Sequence, residues 1–225
     1  MDFNRRTVLA EGISLGIHES QSRMWENMIG RSRAFWQRWM PDLQGLFPTQ
    51  LDGVDVERFY RAANKVEPSL IRVEADEVTY SLHIILRFEL ERQLIDGSLS
   101  VEDLPEAWNQ TTQEVLGIVP PTNAQGVLQD VHWSFGAFGY FPTYALGNLY
   151  AAQFLTAIEA AIPDMWEQVA AGRTSEILQW LRTNIHRWGR VRSAGQLVSG
   201  ITGADLDPGY FLSYLNRKYG ELYSL

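Results

Sequence analysis

Two short segments hold most of the side chains that could carry chemistry, and the first begins at His18. It reads His18-Glu19-Ser20-Gln21-Ser22 and lies near the predicted start of a helix. A helical zinc motif requires His-Glu-x-x-His, with both imidazoles on one helix face, but Ser22 occupies the second histidine position. Glu19 could still supply one carboxylate ligand to a metal held mainly by other residues. It is equally explained as an acidic residue in a first helical turn, where it interacts favourably with the helix dipole.

The second segment, residues 126–133, has the sequence Gly-Val-Leu-Gln-Asp-Val-His-Trp and leads into a predicted buried helix. It places a carboxylate (Asp130), an imidazole (His132) and an indole (Trp133) in one loop. Loops on a rigid scaffold are common positions for functional residues. The structural alternative is that Gln129 and Asp130 bind loop backbone groups and that His132 is a core residue with its hydrogen bonds satisfied. The residues alone leave both interpretations open.

Two tyrosines and an arginine complete the candidates. Tyr140 and Tyr144 are four residues apart, so their hydroxyls emerge on one face of a helix, either for packing or for catalysis. Arg72 lies in an apolar segment beside the acidic run at 74–77. An arginine in this position forms a structural ion pair or clamps a substrate carboxylate, for which its planar guanidinium is suited. Two histidines in helical segments receive no role: His83 and His186.

The elements that must position these residues are mostly helical. From residue 14 to about residue 40, apolar and aromatic residues recur at three- and four-residue spacings, with arginines between them. We expect Pro41 to close this segment, because proline disfavours helix at the residue before it, and turns to follow over 41–53. Residues 69–73 alternate apolar and charged side chains and are predicted to be extended.

Capping and breaking residues predict the remaining helices. These helices run over residues 56–65, 74–95, 100–116, 140–162, 174–189, 193–200 and 207–223. Helix 140–162 is apolar nearly all round and contains small residues, so we expect it to be buried and closely approached by its neighbours. The predicted fold is mainly α-helical, with at most one small strand pair, in a single unit over residues 1–225.

Composition and charge exclude several classes of protein. The 225 residues carry 27 Asp or Glu against 19 Lys or Arg, a net charge of -8, which is unfavourable for binding a nucleic-acid backbone. The absence of cysteine excludes disulfides, zinc fingers and thiol nucleophiles. No stretch near 20 residues is apolar without charges, and residues 1–6 show no signal peptide. We therefore expect a soluble, cytoplasmic protein with no nucleic-acid or membrane partner.

Four segments, in this order, resemble the thermostable carboxypeptidase (carboxypeptidase Taq) family of zinc metallocarboxypeptidases. They are Leu-Gly-Ile-His-Glu-Ser-Gln-Ser-Arg at 15–23, Ile-Arg-Val-Glu-Ala-Asp at 71–76, the segment 126–133, and Gly-Tyr-Phe-Pro-Thr-Tyr at 139–144. The resemblance extends from about residue 10 to the C-terminus. It implies a helical fold with a deep cleft, a zinc cofactor, a peptide substrate that loses its C-terminal residues, and usually a homodimer.

The resemblance also implies roles for individual residues. The family's metal is held by the two histidines of His-Glu-x-x-His and a downstream glutamate within His-Glu-Ser-Gln, to which Glu19 corresponds. Arg72 corresponds to a residue that recognises substrate through its terminal carboxylate. His132, with Tyr140 or Tyr144, corresponds to a stabiliser of the oxyanion of the tetrahedral intermediate. Two further residues of the same motif are expected to bind substrate and orient the imidazole: Gln129 and Asp130.

The sequence departs from the family in one respect, because His-Glu-x-x-His does not occur in the 225 residues. A zinc hydrolase needs about three protein ligands and a bound water. We therefore expect the C-terminal portion of a metallocarboxypeptidase, inactive alone and binding zinc weakly, whose missing N-terminal half is a second polypeptide. Exposed apolar surface on such a portion favours a homodimer. The alternatives are a non-enzymatic descendant that binds peptides or dimerises, and a chain shortened by a misassigned gene start.

Overall fold

A computed structural model describes residues 7–225, and residues 1–6, on which the prediction about a signal peptide rests, lie outside the described part. Within 7–225 the chain forms helices and turns and no β-strand, which confirms the mainly α-helical fold. None of these helices is long and apolar enough to cross a membrane. The described residues group into two compact units. Unit 1 comprises the residues up to Ala63 together with Leu146–Leu225, and unit 2 comprises Asn64–Ala145. A single unit over 1–225 stays a prediction.

Ten α-helices follow one another along the described chain. They are α1 Leu15–Arg23, α2 Arg33–Leu46, α3 Val56–Ala63, α4 Tyr80–Asp96, α5 Leu104–Leu116, α6 Pro142–Ala161, α7 Met165–Ala170, α8 Ser175–Asn184, α9 Ala194–Thr202 and α10 Gly209–Tyr223. Unit 2 contains α4 and α5, and α6 begins in unit 2 and continues in unit 1.

The prediction that Pro41 closes the first helical segment is wrong. A π-helical turn, Met24–Ile29, follows α1, and α2 then runs through Pro41 to Leu46. Proline removes one backbone donor from a helix but does not forbid it where packing holds the chain. Met40, at the preceding position, is 1% exposed, so its burial favours the helical path.

The predicted extended segment at 69–73 is also wrong. The chain there enters a short 3₁₀ turn, Arg72–Glu74. Arg72 is 5% exposed whereas Val73 is 71% exposed, the reverse of what an apolar strand face requires. The alternation misled because the charged side chain is buried with a partner and the apolar one faces outward.

Capping residues mark real helix ends. Asp55 Oδ1 accepts the backbone N–H of Arg58 at 2.7 Å before α3. Gly97 ends α4 with φ 79°, which favours glycine. Ser193 and Gln196 form a reciprocal capping box at the start of α9.

Several helices are shorter than predicted, and α5 begins at Leu104 rather than at residue 100. Asp76 Oδ1 accepts the backbone N–H groups of Val78 and Thr79 at 2.8 and 2.9 Å, so α4 begins only at Tyr80. Side-chain oxygens that bind nearby backbone N–H groups in this way compete with helix formation. Helix α8 ends at Asn184 and is followed by a 3₁₀ segment.

The core of unit 1 is built around α6, as its composition predicts. Its fully buried apolar residues include Ala151, Phe154, Ile158, Ile177, Leu181, Leu197 and Val198. Glycines let α1 and α6 approach closely. A Cβ atom added at Gly16 would lie 3.1 Å from the Tyr150 ring, and one added at Gly147 would lie 2.5 Å from Cγ of Glu19. Neither position has room for a side chain without movement.

Unit 2 has two smaller apolar clusters, both along α4. One contains Ala75, Tyr80, Ile84 and Phe141, and the other contains Leu86, Leu90, Leu104 and Trp108. A buried polar cluster involving this helix contains the candidate functional residues of unit 2.

Candidate functional site

Asp130 is the centre of the polar cluster in unit 2. Its Oδ1 accepts hydrogen bonds from Arg72 Nη2 at 2.7 Å and from Arg72 Nε at 3.1 Å. Its Oδ2 accepts Arg87 Nε at 2.6 Å. The side chains of Arg72, Asp130 and Arg87 are 6%, 11% and 0% exposed. Two buried guanidinium groups therefore share one carboxylate, and this trio carries a net charge of +1.

Arg72 is held on several sides. Its Nη1 donates to the Tyr80 hydroxyl at 3.1 Å, and its guanidinium lies 4.7 Å from the centre of the Tyr144 ring. Its backbone N–H donates to Gln129 Oε1 at 2.9 Å. The structural ion pair considered from the sequence is thus present, and three of the five guanidinium N–H donors are used in these bonds.

Gln129 joins the loop to the segment that contains Arg72. Its Nε2 donates to the carbonyl of Leu70 at 2.9 Å and to that of Gln125 at 3.0 Å. Together with the bond from the Arg72 backbone, these contacts fix the two segments of unit 2 against each other. Gln129 and Asp130, adjacent in sequence, therefore bind the backbone and the side chain of the same arginine.

Arg87 was missed by the sequence reasoning. It lies on α4, and its Nη1 donates to the carbonyl of His83, one turn earlier, at 2.9 Å. The rings of Trp108 and Phe141 lie 4.8 and 5.5 Å from its guanidinium. Its position in the sequence could have identified it. Arg87 follows the core residue Ile84 by three positions, so the spacing places a cation on an apolar helix face.

His132 and Tyr144 form the second part of the cluster. His132 Nε2 lies 3.0 Å from the Tyr144 hydroxyl, and Nδ1 lies 3.8 Å from Asp130 Oδ1. Nδ1 is buried and makes no hydrogen bond to any residue of 7–225. The Tyr140 ring packs 5.2 Å from the imidazole, and over the same residues the Tyr140 hydroxyl makes no hydrogen bond. The two tyrosines therefore differ in their relation to the histidine.

Burial and the arginine charges determine the protonation of this cluster. Burial and, to a smaller extent, the charge of Arg87 lower the pKa of His83 to about 4. Burial also lowers the pKa of His132, an effect that Asp130 opposes. For Asp130, burial raises the pKa, but the bonds to Arg72 and the charges of both arginines outweigh burial and leave it below its usual range. At neutral pH both histidines are therefore neutral and Asp130 is ionised.

Glu91 anchors the loop that follows His132. One carboxylate oxygen accepts the indole N–H of Trp133 at 2.8 Å, and the other accepts the backbone N–H of Gly139. Glu91 is 5% exposed and lies on α4. Helix α4 thus supplies Tyr80, Arg87 and Glu91 to the region around the loop.

Glu19 lies in unit 1, on α1. Its Oε1 accepts Arg23 Nε at 2.9 Å, four residues along the same helix. Its Cβ and Cγ lie over Gly147 of α6, whose lack of a side chain makes this position possible. The carboxylate is thus oriented by an arginine and by a close helix contact.

The described residues do not by themselves provide a zinc site. Within residues 7–225 no group of three or more His, Asp or Glu side chains is placed to hold a metal ion. A structural or catalytic zinc needs about three protein ligands, whereas Glu19 is one carboxylate paired with an arginine. Any metal at Glu19 would need ligands from outside these residues.

The helical fold and the buried cluster define the class of protein when the chain is compared with known proteins. Residues 3–219 match the carboxypeptidase Taq (M32) metallopeptidase family. The chain therefore belongs to this family, which confirms the resemblance seen in the four sequence segments.

Comparisons with individual relatives support the assignment to this family. The chain is 50% identical over 217 residues to thermostable carboxypeptidase 1 of Thermus thermophilus, covering 96% of this chain and 42% of that protein. It is 45% identical to carboxypeptidase 1 of Bacillus subtilis, covering 97% and 44%. The M32 carboxypeptidase structure from Deinococcus radiodurans superposes with a TM-score of 0.92 at 49% identity, covering 96% and 44%. The chain thus spans less than half the length of the relatives it matches.

Proposed function

We propose that this chain provides the substrate-binding part of a zinc-dependent carboxypeptidase, which removes C-terminal residues from peptides. The observation that supports this most strongly is the charge imbalance of the trio, in which Arg72 and Arg87 share the single carboxylate of Asp130. A buried excess of positive charge favours an anionic ligand. The anion that every carboxypeptidase substrate presents is its C-terminal carboxylate.

Arg72 is the proposed carboxylate-binding residue. Asp130 and Tyr80 use three of its five N–H donors, which leaves two for a ligand carboxylate. Gln129 and Asp130 act as substrate-binding residues indirectly, since they hold the backbone and the guanidinium of Arg72. A preoriented guanidinium loses less conformational entropy when it binds a carboxylate.

His132 and the tyrosines are proposed to stabilise the oxyanion of the tetrahedral intermediate. The Tyr140 hydroxyl makes no hydrogen bond to residues 7–225, so we assign it as a donor to the oxyanion. Tyr144, 3.0 Å from Nε2, orients the imidazole. His132 is neutral at pH 7, because burial lowers its pKa, so it donates a single N–H.

Glu19 is proposed as one metal ligand, with zinc as the metal that the family implies. Bound zinc polarises the scissile carbonyl and activates a water in enzymes of this kind. Residues 7–225 hold no group of three metal-ligating side chains, so zinc at Glu19 would need further ligands from outside these residues. Alone, the chain is expected to bind zinc weakly.

Self-association and location in the cytoplasm are further predictions. Helix α4 exposes Ile85, Phe88 and Ile95, which are 50%, 44% and 69% exposed and lie three and seven residues apart. Exposed apolar stripes of this kind favour association, and we expect a homodimer. Light scattering on the purified chain tests this, and a monodisperse monomer would contradict it.

Complementation tests the proposed activity. The part of the Thermus thermophilus relative that this chain does not match is fused to the N-terminus of this chain, and zinc is added. We expect release of the C-terminal residue from a peptide with a free carboxylate, no release from the same peptide as its C-terminal amide, and loss of release with a chelator. A fusion that folds and binds zinc but releases nothing would refute the enzyme and leave the non-enzymatic peptide-binding alternative.

Two single variants in the same fusion test the tyrosine assignment. Tyr140→Phe should lower kcat by about 10²- to 10³-fold, as loss of an oxyanion donor does, with little change in KM. Tyr144→Phe should lower kcat less, because it removes only the contact that orients His132. Equal effects, or the reverse order, would contradict the assignment.

A further inference from the structure

Arg87 is the most deeply buried charge in the cluster, and the function proposed above uses only its positive charge. It is 0% exposed and does not lie on the segments 71–76 or 126–133, which contain the other members of the trio. Its Nε and Nη2 both lie 2.6 Å from Asp130 Oδ2. Arg87 thus occupies the carboxylate oxygen that Arg72 does not use.

Three contacts hold Arg87 itself in place. Nη1 donates to the carbonyl of His83 on its own helix at 2.9 Å, and the ring centres of Trp108 and Phe141 lie 4.8 and 5.5 Å from its guanidinium. Asp130, in contrast, lies on a loop. The rigid partner in this ion pair is therefore the arginine, and the loop residue takes its orientation from it.

We propose that Arg87 is a positioning residue for carboxylate recognition. It fixes Asp130, and Asp130 in turn fixes the guanidinium of Arg72 and the loop that continues to His132. This inference rests on the proposed function, in which Arg72 binds the substrate carboxylate. The two contributions of Arg87, its position and its positive charge, can be separated by substitution.

Arg87→Gln removes both the positive charge and the planar guanidinium with its N–H donors. Arg87→Lys keeps the positive charge and removes the guanidinium. A lysine ammonium is a compact point charge and does not reproduce the planar, fixed set of donors with which Arg87 reaches Asp130 and the His83 carbonyl. If Arg87 acts by position, both variants should bind a carboxylate-ended peptide about tenfold or more weakly. The matched control is Arg92→Gln, because Arg92 lies on the same helix, is exposed, and pairs with the exposed Glu89.

The test uses the whole chain with ¹⁵N-labelled histidine, since four histidines give a simple spectrum. The probe is an acetylated tripeptide with a free carboxylate, and its C-terminal amide is the negative control. In the wild-type chain the free acid should shift the His132 resonance, and the dissociation constant follows from the titration. Both Arg87 variants should raise the dissociation constant of the free acid and shift the His132 resonance of the unliganded chain. Arg92→Gln should leave the dissociation constant and the resonance unchanged.

The outcomes separate this inference from the proposed function. If the wild-type chain does not respond to the free acid, carboxylate recognition is refuted, and the unliganded His132 signal still reports whether Arg87 positions the loop. If Arg87→Lys binds as the wild type does, charge alone suffices and the positioning role is overturned. If Arg87→Gln fails to fold, Arg87→Lys tests the positioning role instead. It is expected to fold because it retains the positive charge that neutralises Asp130.

Discussion

Replacing Asp130 by asparagine should destabilise the protein strongly, although the two side chains have nearly the same shape. The asparagine oxygen can accept from only one guanidinium, and its NH₂ group then faces the other. Arg87, 0% exposed, and Arg72, 6% exposed, would become two buried cations without an anion between them. Removing one partner of a buried ion pair costs about 3–5 kcal/mol, a large fraction of the total stability of a domain.

Urea unfolding at pH 7, followed by tryptophan fluorescence and circular dichroism, measures this loss. The control is Asp42→Asn, which removes one partner of an exposed pair with Arg38 and should cost at most about 1 kcal/mol. The folded pKa of Asp130 lies below its usual value, so its stabilisation is complete above about pH 4 and is lost as the pH falls through the folded pKa. Equal losses for the two variants at pH 7 would refute the buried, charge-sharing trio.

Two further predictions concern packing and pH. Gly147→Ala should destabilise by about 1–3 kcal/mol, because its Cβ would lie 2.5 Å from Cγ of Glu19. Gly45→Ala, in α2 with nothing within 4 Å, should be neutral or stabilising in the same thermal melt, and a similar loss at both sites would disprove the close helix contact. The His83 pKa falls from 6.5 to about 4 on folding, so stability should decline as the pH drops through that window. His83→Gln should flatten the decline, and an NMR pKa near 6.5 for His83 would contradict its burial beside Arg87.

Helical elements were predictable because capping chemistry and apolar spacing act locally. Asp55, Gly97 and Ser193 each mark an observed helix end. Pro41 misled, because the burial of Met40 outweighs the local preference of proline. Tertiary packing of this kind cannot be seen in neighbouring residues alone.

The sequence motifs identified several residues of the buried cluster but not the contacts between them. The motif containing Gln129, Asp130 and His132 identified the loop, and the structure adds that two of these residues bind Arg72. Arg87 was missed because it comes from a helix outside the motif segments, and its partner lies 43 residues away in sequence. A long-range ion pair leaves no periodic signal in either segment.

The most direct test of the central claim is isothermal titration of this chain with one peptide in two forms, the free C-terminal acid and the C-terminal amide. We expect the acid to bind and the amide to give no measurable heat, with the acid's affinity lost in Arg72→Ala, since Arg72 retains two N–H donors beside Asp130. Equal binding of acid and amide, or no binding of either, would contradict recognition of a terminal carboxylate by this cluster.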